Sequence, residues 1–207
     1  MIAGFGKRLF AWILKKGDSV NNKIYGSLKQ DIFKSVHGTV VEIGPGSGVN
    51  FSHLPPHMEW IGIEPNQAFH STLIEKAIRY HQNARLISGT AADIPLPDAI
   101  ADFAICTLVL CSVTDPAKAL AEIKRVLKPG GKMIFIEHVA APQHSRLRAF
   151  QNFSNPMNRV FADGCNCNRE TWTFLESAGF SKLDFTRLTM KGSMLLHKPH
   201  IAGTATK

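Results

Sequence analysis

The feature that most constrains this chain is the run Val40-Val41-Glu42-Ile43, followed at once by Gly44-Pro45-Gly46-Ser47-Gly48. An apolar, β-branched run reads as a buried strand, and glycines directly after it let the backbone turn tightly and approach a ligand where a Cβ would collide. Together they open a nucleotide-type cofactor site in an α/β fold. The spacing then narrows the ligand. A dinucleotide loop has the pattern G-x-G-x-x-G, but Val49 stands at its third glycine position, and no Gly-Lys-Ser/Thr follows as a P-loop requires. Glu42, an acid two residues before the first glycine, would repel phosphates and suits a cofactor that carries a cation.

A second apolar strand, Trp60-Ile61-Gly62-Ile63, ends on Glu64 about twenty residues after the loop, where a carboxylate accepts from both hydroxyls of a ribose. Two further stretches follow in order. Leu86-Ile87-Ser88-Gly89-Thr90-Ala91-Ala92-Asp93 and Asp102-Phe103-Ala104-Ile105-Cys106-Thr107-Leu108 precede Leu127-Lys128-Pro129-Gly130-Gly131 and a strand over Lys132 to His138. In this order and spacing the chain resembles the class I S-adenosylmethionine-dependent methyltransferases. The resemblance implies a Rossmann-like α/β fold: a mostly parallel seven-stranded sheet, helices on both faces and a terminal antiparallel hairpin. It implies S-adenosyl-L-methionine as cofactor, with Glu42, Gly44, Pro45, Gly46, Ser47, Gly48, Glu64, Pro65, Ala92, Asp93 and Thr107 as its contacts and Asp93 set against the adenine amino group.

The likeness is closer to the microsomal alkyl-thiol S-methyltransferases. It is carried by Cys106 to Val113, by Glu137-His138-Val139-Ala140-Ala141, and by Asp163-Gly164-Cys165-Asn166 with Arg169-Glu170-Thr171-Trp172. A small, apolar thiol acceptor is implied, with lipid or quinone precursors as the competing acceptors and a non-catalytic cofactor-binding module as the competing class. There is no Asp/Asn-Pro-Pro-Tyr/Phe after the fourth strand and no Pro-Cys nucleophile, so nucleic-acid bases are not expected as acceptors. Near this acceptor His138 reads either as a proton acceptor or as a histidine satisfied by the fold. Tyr25 and Leu108 read as acceptor contacts or as core, and Asp163 and Arg169 as a pair that fixes the insertion around them or as direct contacts.

Composition and charge bound the rest. At 207 residues, 44% hydrophobic and 19% charged, the chain suits one globular domain over 1–207, with an N-terminal helical cap over 1–38 and a helical acceptor-site insertion over 140–169. The net charge of +8 resolves into +5 over residues 1–38 (seven basic, two acidic), −1 over 39–180 (twelve, thirteen) and +4 over 181–207 (five, one). The basic ends suit a solvated face or, less commonly, an acidic surface such as a membrane or nucleic acid. Residues 2 to 16 form a basic amphipathic helix with Ile2, Phe5, Leu9, Trp12 and Ile13 on one face, too short to span a bilayer. Asp18 or Ser19 caps a second helix bearing Tyr25, Leu28, Ile32 and Val36. The thiol-methylating relatives carry a long hydrophobic anchor where this chain has that short helix, so a cytoplasmic location is expected, with any membrane contact peripheral.

Further helices are predicted from Val49, from Asn66 or Gln67 to Tyr80, after the cap Asp115-Pro116, over Ser145 to Phe161 and over Glu170 to Ala178. The closing strands are placed at Phe180 to Leu188 and Met194 to Gly203. Four cysteines without framework spacing read as free thiols in a reducing compartment. No metal is expected: Cys165-x-Cys167 has no Cys or His partner at a usual spacing, and Asp102 and Asp163 form no obvious metal cluster.

Overall fold

The computed structural model describes residues 2–80 and 83–207 and, outside positions 2–10 and 13, their side chains. The expected apolar face at Ile2, Phe5, Leu9 and Ile13 therefore lies outside the described side chains. In chain order the elements are α1 (Ile2–Phe33), β1 (Thr39–Ile43), β2 (Glu59–Ile63), α2 (His70–Arg79), β3 (Asn83–Ile87), β4 (Ala101–Thr107), α3 (Pro116–Val126), β5 (Leu127–His138), α4 (Arg146–Phe161), α5 (Thr171–Ser177), β6 (Lys182–Thr189) and β7 (Pro199–Thr206). The seven strands form one sheet in the order β3-β2-β1-β4-β5-β7-β6. The first five are parallel, and β7 runs antiparallel to both β5 and β6. The chain order reverses between β1 and β4, which opens a crevice at the carboxyl ends of these strands.

Strand alternation divides the core between the two faces of the sheet. Val40, Phe103, Ile105 and Ile134 share one cluster with Phe33 of α1 and Leu73 of α2. Val41, Ala104, Met133 and Phe135 share the other with Leu120 and Ile123 of α3 and Leu175 of α5. Each of the larger of these side chains contributes about 1.5–3 kcal/mol by burial. α3 starts as its sequence dictates: Asp115 accepts from the Lys118 amide at 3.0 Å, and Pro116 supplies the first helical residue.

Four expectations change. The two N-terminal helices are one continuous helix, and Asp18 lies inside it rather than capping a second. Tertiary contacts give Asp18 a different use, since it accepts from Ser47 Oγ at 2.5 Å and pairs with Lys76 of α2. The segment from Val49 makes only the 3-10 turn Val49–His53, because Asn50 is drawn under the sheet to Glu42. The helix expected from Asn66 or Gln67 opens with the 3-10 turn Gln67–Phe69 before α2 begins. The last strand starts later than Met194 because Leu195–His197 forms a 3-10 turn tied to α4, where Gln151 Nε2 donates to the Leu196 carbonyl at 2.8 Å. Among the described residues no helix is long and apolar enough to cross a membrane.

The continuity of α1 has a direct test at Gly17, where a Cβ would meet nothing within 4 Å. Glycine inside a helix costs about 0.5–1 kcal/mol relative to alanine. Gly17→Ala should therefore raise unfolding free energy by about that amount in urea titration. A loss of stability would contradict an unbroken helix.

Candidate active site

A cavity of about 610 Å³ occupies the crevice above β1 and β4, roofed by α1 and walled on the far side by the end of α4 and the loop after it. That volume suits one cofactor and a small acceptor. The floor begins at the glycine loop. Gly44 and Gly46 have φ of +59° and +55°, a region that disfavours side chains. A Cβ on Gly44 would stand 2.8 Å from Val109 Cγ2. One on Gly46 would have its nearest neighbour at 4.0 Å, so the space over this residue is open to the cavity. Glu64, at the end of β2, draws the loop down: Oε2 accepts from the Gly46 amide at 3.0 Å and Oε1 from the Asn66 amide at 2.8 Å. Burial pushes its carboxyl above the usual range.

Of the residues expected at the cofactor, Gly44, Pro45, Gly46, Ser47, Glu64, Pro65, Ala92 and Thr107 line the cavity. Glu42, Gly48 and Asp93 are not on its wall. Glu42 is buried beneath it, accepting from Trp60 Nε1 and Asn50 Nδ2, each at 2.7 Å. Asn50 Nδ2 also reaches Thr107 Oγ1 at 2.9 Å, so Glu42 acts on the cavity through Asn50 and Thr107. Burial raises its carboxyl too. Gly48 turns the chain into the 3-10 segment, and Asp93 is exposed, its backbone paired with Thr90 while Ala91 and Ala92 face the cavity. The loop around Asp93 is fastened from outside. Glu122 accepts from the Ile94 amide at 2.9 Å and from Arg125, whose guanidinium also donates to the Ile94 and Leu96 carbonyls; the arginine holds the Glu122 carboxyl at about 2.

Of the acceptor candidates, Tyr25, Leu108, His138 and Asp163 line the cavity and Arg169 does not. Arg169 makes no ion pair with Asp163 among the described residues. It donates instead to the carbonyls of Leu110 and Val113 at 2.5 and 2.7 Å, because the loop after β4 turns those oxygens toward it. Asp163, at φ +45°, and Leu108, at φ +59°, both hold the strained left-handed conformation at the cavity. Tyr25 Oη meets His200 Nε2 at 2.9 Å, and burial raises the phenol to about 12 and lowers the imidazole to about 4.

Three features were not read from the sequence. Glu137, wholly buried at the end of β5, accepts from the amides of Val109 and Leu110 at 2.9 Å and of Cys111 at 3.3 Å. An acid closing the apolar run Ile134-Phe135-Ile136 was its only local signal. Lys29 is buried in α1 on the cavity wall, four residues after Tyr25 on the same helical face, and desolvation lowers its ammonium to about 8. Cys165 has partners after all. Its Sγ lies 2.9 Å from His138 Nε2 and 3.9 Å from His197 Nε2, accepts from Asn158 Nδ2 at 3.2 Å and has Cys111 beside it. The Cys111 thiol and the two imidazoles hold Cys165 below the ordinary thiol range, and Cys111 stands above it. His138 Nδ1 is buried without a partner among the described residues.

Residues 41–135 match the model of the methyltransferase domain. The thiol S-methyltransferase TMT1B of Rattus norvegicus is 36% identical over 93% of this chain and 80% of its own length. That of Homo sapiens is 34% identical over 97% of this chain and 87% of its own. The chain belongs to the S-adenosylmethionine-dependent methyltransferase family that includes these enzymes. The fold of this methyltransferase agrees with that of a SAM-dependent methyltransferase from Thermotoga maritima, which is 24% identical, covers 100% of both chains and has a TM-score of 0.72.

Proposed function

We propose that the cavity holds S-adenosylmethionine over the glycine loop and accepts a small, largely apolar thiol between Tyr25, Leu108 and His138. The observation that carries the cofactor assignment is the open space above Gly46, bordered by Glu64 at the end of β2. The nearly full-length similarity to thiol S-methyltransferases supports the acceptor class. When bound, the cofactor supplies a methyl group on a cationic sulfur. The chain's own part is to orient and to exclude water. Gly44, Pro45, Gly46, Ser47, Glu64, Pro65, Ala92 and Thr107 make the cofactor side, with Glu42 and Asp93 supporting it from behind the wall. α1 forms the cap, and the segment 140–169 forms the acceptor wall. Leu108, Val109, Val113 and Ile136 give the acceptor side an apolar surface. A free thiol with a pKa near 8.5 is mostly protonated at neutral pH, and its thiolate is the nucleophile, so a water-poor wall favours the cancellation of charge as the reaction proceeds. Asp163 and His138 border this space, and Arg169 shapes it through the loop after β4.

The test is isothermal calorimetry with S-adenosylmethionine beside a labelled-methyl assay on an alkyl thiol and its matched alcohol. Wild type should bind the cofactor and methylate the thiol only. Gly46→Val should fill the open space and abolish binding while the protein stays folded by circular dichroism. Unaltered binding in that variant, or equal turnover of thiol and alcohol, would defeat the reading.

A specific observation also favours a peripheral membrane position. α4 is inverted: Gln151, Asn155 and Asn158 turn inward to hydrogen-bond the chain, while Phe150, Phe153, Met157, Val160 and Phe161 face out, Phe153 at 85% exposure. The helix carries Arg146, Arg148 and Arg159 and no acid, and its end borders the cavity. Such a face suits insertion into an anionic bilayer surface, from which an apolar acceptor would enter. Flotation with phosphatidylserine-containing vesicles should retain wild type and lose Phe153→Glu/Phe161→Glu, with cofactor affinity unchanged. Equal flotation of the two would remove α4 from the account.

A further inference from the structure

We propose that Cys111, His138 and Cys165 form a zinc site whose open coordination position faces the cavity and holds the acceptor thiol as a thiolate. The inference rests on the thiol reading above for the ligand at the open position, but not for the metal. Its basis is the convergence of three elements. β5 delivers His138, the loop after β4 delivers Cys111, and the segment after α4 delivers Cys165, so that Sγ, Nε2 and Sγ all lie within 4.8 Å of one another. All three residues line the same cavity, so the site has an entry path and a free side.

Zinc bonds of about 2.3 Å to sulfur and 2.1 Å to nitrogen place tetrahedral ligand atoms about 3.5–3.8 Å apart. The Cys165 to His138 contact of 2.9 Å must then open by about 0.7 Å, a movement that rotation of the two side chains supplies. Two thiolates and one imidazole are a donor set for zinc rather than for a hard cation. Three protein ligands with a fourth position open is the arrangement of reactive rather than structural zinc. The two cysteines also have outer contacts. Asn158 Nδ2 donates to Cys165 Sγ at 3.2 Å, its Oδ1 meets His197 Nε2 at 3.0 Å, and Ser112 Oγ lies 3.6 Å from Cys111 Sγ. Such contacts orient first ligands and tune them.

The chemistry at the fourth position is a ligand exchange without redox change. The S–H bond of the acceptor breaks, a zinc–sulfur bond forms, and the proton leaves to bulk water; a coordinated thiol is held deprotonated at a pH where a free one is not. Neighbouring candidates do not share this geometry. Cys167 Sγ turns away to the Gln151 carbonyl at 3.6 Å, and Cys106 is closed off in the core beside Glu137.

Metal content of the full chain, purified without chelator and dialysed against zinc, tests the site with no substrate present. One zinc per chain is expected. Cys111→Ala, His138→Ala and Cys165→Ala should each weaken zinc, in competition with a chromophoric chelator, by more than the roughly 100-fold that loss of an outer contact costs. Cys167→Ser should leave zinc affinity unchanged. Cobalt loading of the wild-type protein is independent of variant folding. It should give a thiolate-to-cobalt charge-transfer band that shifts on adding an alkyl thiol and not on adding the matched alcohol. Wild type that takes up no zinc and gives no such band overturns the proposal even if thiols are methylated. Zinc binding in a protein that methylates no thiol overturns the acceptor assignment and leaves the metal site in place.

Discussion

The buried carboxylate of Glu137 is the constraint on which the half of the cavity beside the loop after β4 depends. Three consecutive backbone amides, Val109, Leu110 and Cys111, donate to it from the loop after β4. Hydrogen bonds to a charged group contribute about 1.5–3 kcal/mol each, which opposes without outweighing the desolvation that pushes the Glu137 carboxyl upward. Arg169 grips the same loop from the opposite side through the Leu110 and Val113 carbonyls. Between them the acid and the base hold Leu108 in its left-handed conformation and set Cys111 beside Cys165 and His138. The loop is therefore gripped by charged groups outside it, while Leu108, Val109 and Cys111 line the cavity.

The half over the glycine loop works by the same logic with different parts. Glu64 holds the Gly46 amide, Glu42 holds Asn50 and through it Thr107, and Asp18 of α1 takes the Ser47 hydroxyl. Each carboxylate accepts from the protein, and two of these bonds tie the glycine loop to the end of β2 and to α1. Preorganisation of that kind lowers the ordering cost of binding. The roof follows from the same contacts, because Asp18 also pairs with Lys76 and so fastens α1 across both the loop and α2.

Legibility in the sequence tracked the range of the interactions. The strands were readable because burial on both faces demands unbroken apolar runs such as Val40 to Ile43, and α3 because Asp115 and Pro116 encode its start locally. The glycine loop and Glu64 were readable because backbone conformation restricts them to few residue types. Asp18 misled because, taken locally, it reads as a cap, whereas the structure uses it for contacts 29 and 58 residues away. The pairing of Asp163 with Arg169 failed for a similar reason: the arginine satisfies carbonyls more than fifty residues before it. Cys111, His138 and Cys165 carry no spacing that announces them, since three separate elements bring them together. The outward apolar face of α4 was in the sequence as a helix, but not its inversion, which depends on the amides of Gln151, Asn155 and Asn158 finding partners inside.

Glu137 fixes the loop after β4 that walls one side of the cavity. Amide hydrogen exchange resolved at Val109, Leu110 and Cys111 tests it most directly. In wild type these three amides should be protected as strongly as those of β4. In Glu137→Gln, where one oxygen and a competing donor replace two acceptors, their exchange should accelerate on the order of 10-fold or more while the amides of β1 and β2 stay protected. Unchanged protection at the three amides would contradict the account.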